Sequence, residues 1–201
     1  MYHKQRQIKK LTTYIPVAET FRALASEQDC VFLDSSLVND LGRFSIIGAC
    51  PYLKLVKDGE KFFINEKEET GIIFEDYLRN YLRDHVDQNE SELPLVSGAV
   101  GYFSYDYGRK LQGVPSGEKD LVEIPDAVLT FYDVYLIEDC HQKEAYLVAN
   151  GITADASEKI REMEQKIRQR TERKEEQRVP HNIIVTPNFE KEEYKKAVDD
   201  M

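Results

Sequence analysis

Cysteine is scarce in this chain of 201 residues: Cys30, Cys50 and Cys140 are odd in number, far apart and outside any C-x-x-C or Cys/His spacing. They signal neither a disulfide framework nor a zinc site, and they read as reduced, mostly buried thiols. Histidine is equally sparse. His3, His85, His141 and His181 are scattered, form no H-E-x-x-H motif and have no nucleophile nearby in sequence, so none is a candidate catalytic group. No apolar run is long enough to cross a bilayer, and the basic opening MYHKQRQIKKLTTY lacks the apolar core of a secretory leader. A cytoplasmic protein is expected. Positive charge is in deficit, with 27 Lys and Arg against 37 Asp and Glu and a net charge of -10. Phosphate backbones and anionic lipid headgroups are therefore repelled, which argues against nucleic acid and membrane as partners.

The hydrophobic share, 41%, suffices for one large domain or two small ones. Pro16 opens PVAETFRALASE, where Val17, Phe21 and Leu24 recur at helical spacing and proline suits a first turn; a helix is expected near 17 to 26. CVFLDSS and RFSIIG read as neighbouring strands. In YLKLVKDGEKFFIN, Asp58-Gly59 lies between two β-rich runs and predicts a hairpin with a type I′ turn. A second amphipathic helix is expected near 73 to 86, with Phe74, Leu78, Tyr81, Leu82 and His85 inward and Glu75, Asp76, Arg79 and Arg83 outward. SGAVGYFSYDYGRKLQ begins as a strand containing glycine, and DAVLTFYDVYLIED with KEAYLVANG forms a hairpin around CHQ.

Near Asp155 the composition turns charged. D-A-S-E resembles a capping box and leads a long helix near 155 to 177, whose apolar stripe, Ile160, Met163 and Ile167, is narrow. VPHNIIVTPN is expected to be extended. A last helix has Phe189 and Tyr194 placed as a hydrophobic staple and Glu193 at its third position, although Glu190 is a poor cap. Tyr194, Ala197, Val198 and Met201 form an apolar face that the sequence leaves incomplete, which suggests truncation within an element.

Two segments carry information about function. In Leu33-Asp34-Ser35-Ser36 followed by LGRFSIIG, a strand ends in a carboxylate and hydroxyls, and Arg43 enters the neighbouring strand. Such a set can gather donors and acceptors around a small zwitterion such as an amino acid. The same residues also fit a turn in which Asp34 and Ser35 cap local amides and Arg43 pairs with Asp34 or Asp40. The second segment is SGAVGYFSYDYGR. Gly98 and Gly101 suggest close backbone approach and the aromatics suit a strand between layers. It matches no phosphate-binding loop, and a loose likeness of GYFSY to an RNA-binding strand conflicts with the acidic balance.

Taken in order, FLDSS, LGRFSIIG with Pro51, SGAVGYFSYDYGR, FYDVYLIED and NFEKEEYKKAV resemble the landmarks of component I enzymes that act on chorismate, the aminodeoxychorismate and anthranilate synthases. The likeness covers nearly the whole chain. Leu33-Asp34-Ser35 stands where a Leu-Glu-Ser triplet is usual in anthranilate synthases, so the details lean toward aminodeoxychorismate synthase. The resemblance implies an α+β fold of layered, mainly antiparallel sheets with flanking helices. It implies an N-terminal domain over 1–178, then a linker and the first helix of a truncated chorismate-binding domain over 179–201. It further implies half of a tryptophan pocket at Asp34, Ser35, Leu41, Gly42, Arg43 and Phe44, with Asp34 facing the ammonium group. Catalytic residues and Mg²⁺ would belong to a C-terminal chorismate-binding domain outside this chain, where no catalytic or metal-binding residue and no cofactor is expected. That domain and a glutamine amidotransferase subunit are the implied partners. A stand-alone tryptophan-binding or assembly module is the alternative of a different class.

Overall fold

The computed structural model describes residues 6–25, 27–115, 123–171, 184, 186–187 and 189–200. Its centre is a pair of long antiparallel strands, β3 (Phe44–Asp58) and β7 (Ala127–Asp139), in register from Phe44 opposite Asp139 to Lys57 opposite Ala127. On β3 hang β2 (Val31–Leu33) and the meander of β4 (Lys61–Ile64) and β5 (Lys67–Glu69). On β7 hang β6 (Ala99–Phe103) and β8 (Glu144–Ala149), and β1 (Gln7–Lys10) closes the edge beside β8. All pairings of this sheet are antiparallel. With its flanking helices it is the expected α+β architecture.

Alternation sends side chains from the central strands into cores on both faces. Ile47, Ala49, Val134, Leu136, Ala145 and Leu147 face α1 (Val17–Leu24) and α4 (Ala156–Thr171), which bring Val17, Leu24, Ile160 and Met163. Tyr135, Ile137 and Val148 face the opposite way, under Val96. A bulge between Pro51 and Leu53 redirects β3, and beyond it Leu53, Leu55, Phe62 and Phe131 form a third core with α2 (Phe74–Asp84) and α3 (Tyr105–Leu111). The stripe Ile160, Met163 and Ile167 is fully buried, as its spacing predicts.

Helix ends show where local signals suffice. Asp155 Oδ1 accepts the amides of Ser157 (3.0 Å) and Glu158 (3.2 Å), which caps α4. Pro16 does not lie in the first turn of α1 but at its N-cap, with no side-chain cap of its own. The amide of Val17 instead donates to Glu138 Oε2 of β7 at 2.8 Å, and the Tyr14 hydroxyl donates to Oε1 of the same carboxylate. Burial and that hydrogen bond push the Tyr14 hydroxyl up to about 12.

Several expectations need correction. The hairpin after Asp58 turns on Gly59 and Glu60, with a positive φ (54°) at Gly59 and none at Glu60, the pattern of a II′ turn. The pair with two positive φ values is Asn65 (47°) and Glu66 (69°), between β4 and β5. On α2, Tyr77 packs on the core while Leu82 is half exposed and His85 lies at the surface. Glu75 is not on the wet face, because Tyr107 donates to its carboxylate. The sequence reading missed three elements: β5, α3 and β1. α3 is capped by Ser104, whose Oγ accepts the Tyr107 amide at 3.0 Å, a cap signal present in S-Y-D-Y. β1 carries no alternating pattern and is recruited by the edge of β8, with Lys9 paired to Glu164 at 2.7 Å. The expected helix beyond 171 lies outside the described residues, as do most of VPHNIIVTPN and Met201. The last helix, α5 (Lys191–Asp199), forms with Tyr194 and Val198 exposed. Glu190 caps better than expected: its amide donates to Glu193 Oε2 at 3.1 Å, one half of a capping box.

Gly101 and Gly98 serve different needs. A Cβ on Gly101 would lie 1.8 Å from the carbonyl oxygen of Val128, so the β6–β7 contact itself requires glycine. Gly98 instead holds φ at 133°, and a Cβ there would meet only the Leu95 side chain at an ordinary 3.6 Å. Gly101→Ala is expected to destabilise the chain by at least about 1–3 kcal/mol, because the backbone of β7 must move. Urea denaturation followed by circular dichroism measures this; an unchanged midpoint would contradict the close contact.

Candidate functional site

The open end of the β2–β3 pair gathers most of the residues marked by the sequence. β2 ends at Leu33, and the register Leu33 opposite Ile46 leaves Asp34 and Ser35 beside Phe44 and Ser45. The Ser35 amide donates to Ser45 Oγ at 2.9 Å, and Ser35 Oγ donates to the carbonyl of Phe44 at 2.7 Å. Ser45 Oγ in turn donates to Asp34 Oδ1 at 3.2 Å and lies 3.7 Å from Cys140 Sγ. The two serines therefore extend the ladder past the last strand pair with side-chain hydrogen bonds.

The segment that crosses from Leu37 to Gly42 is tied by Asn39, whose Oδ1 accepts the amides of Leu41 (2.9 Å) and Gly42 (2.8 Å). Gly42 is required sterically, since a Cβ there would stand 2.2 Å from the carbonyl oxygen of Leu37. Leu41 is 98% exposed and forms no wall of the group. Leu33, Leu37 and Val38 are also exposed, so the crossing carries an apolar surface above the polar cluster.

Arg43 pairs with neither Asp34 nor Asp40. Its Nε donates to Asp139 Oδ2 at 2.9 Å and its terminal nitrogen to the same oxygen at 2.5 Å. The cause is the long-strand register, which sets Phe44 opposite Asp139 and so brings the adjacent arginine to that carboxylate. The guanidinium also lies 4.7 Å from the ring centroid of Phe44, a cation–π contact. Asp139 Oδ1 accepts the amides of His141 and Gln142, both at 3.0 Å. Burial of Asp139 opposes its charge, but the hydrogen bonds from Arg43 and those amides outweigh it and hold the carboxyl below the ordinary carboxylate range. The bond to Asp139 likewise raises Arg43. Arg43 is thus positioned rather than free, and it, Ser35 and Phe44 are each partly exposed. Asp139 is the residue the sequence reading missed here, although it sits in the marked run FYDVYLIED.

Cavities lie elsewhere. One of about 470 Å³ is lined by Asp29, Cys50, Tyr52, Lys54 and Asn65, at the other end of the β2–β3 pair. Another, of about 530 Å³, is an apolar groove between α2 and α3 lined by Leu78, Leu82, Phe103 and Leu111. Among the described residues no group of three or more His, Cys, Asp or Glu could hold a metal ion, so these residues do not fit a Mg²⁺ site. No helix among them is long and apolar enough to cross a membrane.

A family model for chorismate binding enzymes matches residues 36–201. Among curated proteins, the chain is 31% identical over 133 residues to aminodeoxychorismate synthase component 1 of Klebsiella aerogenes, which is 63% of this chain and 30% of that protein. It is 34% identical over 107 residues to the protein of the same name from Escherichia coli strain K12, covering 50% of this chain and 23% of that one. It is 27% identical over 161 residues to anthranilate synthase component 1 of Lactococcus lactis, covering 77% and 34%. Among solved structures, anthranilate synthase component I from Streptococcus pneumoniae TIGR4 superposes with a TM-score of 0.50 at 23% identity, over 79% of this chain and 34% of that chain. That likeness is one of fold. The chain spans about a third or less of the length of these relatives.

The Arg43–Asp139 pair makes a pH-dependent contribution. Because the folded Asp139 carboxyl titrates below its unfolded value, its stabilisation is complete above the unfolded pKa, near 4 for an ordinary aspartate, and is lost as pH falls through the folded value. Thermal melts of Asp139→Asn should start from a lower Tm at neutral pH and fall less steeply between about pH 5 and 3 than the parent chain. Parallel curves for the two proteins would show that the pair contributes nothing.

Proposed function

The chain belongs to the family of chorismate binding enzymes, and from that premise we propose that it is the N-terminal, non-catalytic part of an aminodeoxychorismate synthase component I. In that role it supplies half of a tryptophan pocket, and the full protein converts chorismate and ammonia to 4-amino-4-deoxychorismate. The observation that carries this reading is the family match over 36–201 in a chain that covers about a third or less of its relatives' length. Residues 1–178 form the N-terminal domain in this proposal, and 179–201 are a linker and the first helix of the chorismate-binding domain. Chemistry and Mg²⁺ then belong to further polypeptide, and ammonia comes from a glutamine amidotransferase subunit. Anthranilate synthase component I is the second reading, favoured by the 77% coverage of this chain by the Lactococcus lactis protein.

The proposed pocket uses Asp34, Ser35, Arg43 and Phe44 as its polar and aromatic wall, with Leu41 and Gly42 on the crossing segment. A bound amino acid places its ammonium by Asp34 and its carboxylate by Arg43, which Asp139 holds in place. The exposed apolar side chains Leu33, Leu37, Val38 and Leu41 support a pocket that is finished by another part of the protein.

Joining the chain to a chorismate-binding C-terminal domain and supplying chorismate, ammonia and Mg²⁺ should give 4-amino-4-deoxychorismate, detected by chromatography. Anthranilate as the product transfers the assignment to the second reading, and no turnover with a folded, intact fusion overturns both. In calorimetry, tryptophan should show no saturable binding to the chain alone and saturable binding to the joined protein, weakened about tenfold or more by Arg43→Ala, as expected for loss of a charge-assisted hydrogen bond. Equal binding by the variant removes Arg43 from the pocket. Tight binding to the chain alone favours the stand-alone module.

A further inference from the structure

Cys30 stands one residue before β2, and Cys50 lies within β3, the strand paired with it. The register sets Val31 opposite Gly48, so extending the ladder by one residue places Cys30 opposite Ala49. Regular alternation would then send Cys50 to the other face of the sheet. It does not go there. Cys50 holds φ at 55°, a left-handed conformation that breaks the alternation, and its side chain, like that of Cys30, packs against the core under α1 and α4. Residues on neighbouring antiparallel strands that are offset by one position have Cα atoms about 6 Å apart, inside the roughly 4.4–6.8 Å that a disulfide spans. Both thiols are free, and Cys50 lines the 470 Å³ cavity, which gives it an opening to solvent. The third thiol, Cys140, lies near Ser45 at the opposite end of the pair.

We propose that Cys30 and Cys50 are a cross-strand dithiol modification site that closes to a disulfide by exchange with a small-molecule disulfide admitted through this cavity. Cys50 Sγ, as thiolate, attacks one sulfur of the small disulfide; that S–S bond breaks and one thiolate leaves. Cys30 Sγ then attacks Cys50 Sγ, the mixed disulfide breaks and the second thiolate leaves. The protein thiols are oxidised by two electrons and release two protons, and the small disulfide is reduced to two thiols. Burial pushes the Cys30 thiol up to about 11 and raises Cys50 as well, so the reduced pair exchanges slowly and persists until the oxidant is abundant. The closed loop runs from 30 to 50. It contains every residue from Asp34 to Phe44, so oxidation state is coupled to the order of the candidate pocket.

The test uses the chain of 201 residues, reduced and then incubated with excess oxidised glutathione, followed by peptide mass mapping and a thermal melt. The expected result is a Cys30–Cys50 linked peptide, an intact mass lower by two hydrogens, an alkylatable Cys140, and a Tm raised by roughly 5–10 °C for a loop of about 20 residues. Dithiothreitol should reverse all of it. Cys140→Ser should behave identically, and Cys30→Ser should stop at a glutathione adduct on Cys50 without the rise in Tm. Separate adducts on Cys30 and Cys50, a link through Cys140, or inertness of the folded protein under conditions in which its urea-unfolded form reacts would each overturn the proposal. Because the readout needs neither chorismate nor tryptophan, its failure is distinct from failure of the proposed function.

Discussion

The β3–β7 ladder is the constraint on which the other elements depend. It is the long pairing of the sheet, and each remaining strand reaches the body through one of its two members, directly or by one further step. Both strands are buried on two faces for much of their length, so their side chains divide between two cores, and a one-residue slip would exchange the two sets. Beyond the bulge at Pro51 both strands serve a third core as well. Past it, α2 and α3 cover Leu53, Leu55 and Phe131 with a set of aromatic rings, Phe62, Phe74, Tyr77 and Tyr107 among them.

The same ladder places charge. Glu138 and Asp139 are consecutive on β7 and therefore point to opposite faces. Glu138 caps the amide end of α1 on one side, where Pro16 cannot do so, and Asp139 fixes Arg43 on the other. A buried carboxylate is tolerated at each position because hydrogen-bond donors surround it: an amide and a hydroxyl for Glu138, a guanidinium and two amides for Asp139. Nearby, Asp133 is fully buried and accepts the amides of Ile152 and Thr153 together with the Thr153 hydroxyl, which ties the loop between β8 and α4 to β7. Among the described residues no buried side-chain polar atom lacks a partner. Buried polar groups run the length of β7, from Asp126 just before it to Asp139 at its end, and the candidate pocket lies at the Asp139 end.

The two ends of the β2–β3 pair have different character. At the Ser35 end the ladder is prolonged by serine side chains and then opens into a segment with exposed leucines. At the Cys30 end the backbone takes left-handed conformations at Asp29 and Cys50 and surrounds a polar cavity crossed by the Lys54–Asp29 ion pair at 2.7 Å. The first end leaves Leu33, Leu37, Val38 and Leu41 exposed. The second is lined by residues of this chain, Cys50 among them.

What the sequence by itself determined were the features encoded within a few residues: the strand runs of β7 and β8, the Ile160, Met163 and Ile167 stripe, the Asp155 cap and the glycine at 101. By contrast, β3 was legible only as two separate runs that the structure joins through Cys50 and Pro51. The ordered motifs also sufficed to identify the family. Where a local rule had two outcomes, local information ran out: Asp58-Gly59 allowed two turn types, and S-Y-D-Y after a strand hid a short helix. Tertiary structure alone decided the partners. Arg43 meets Asp139 across 96 residues of chain, Val17 meets Glu138 across 121, and Cys50 shares a face with Cys30 only because one residue leaves the right-handed region. These contacts follow from strand register, and register is set by the summed burial of two whole strands, a quantity that no short window of sequence contains.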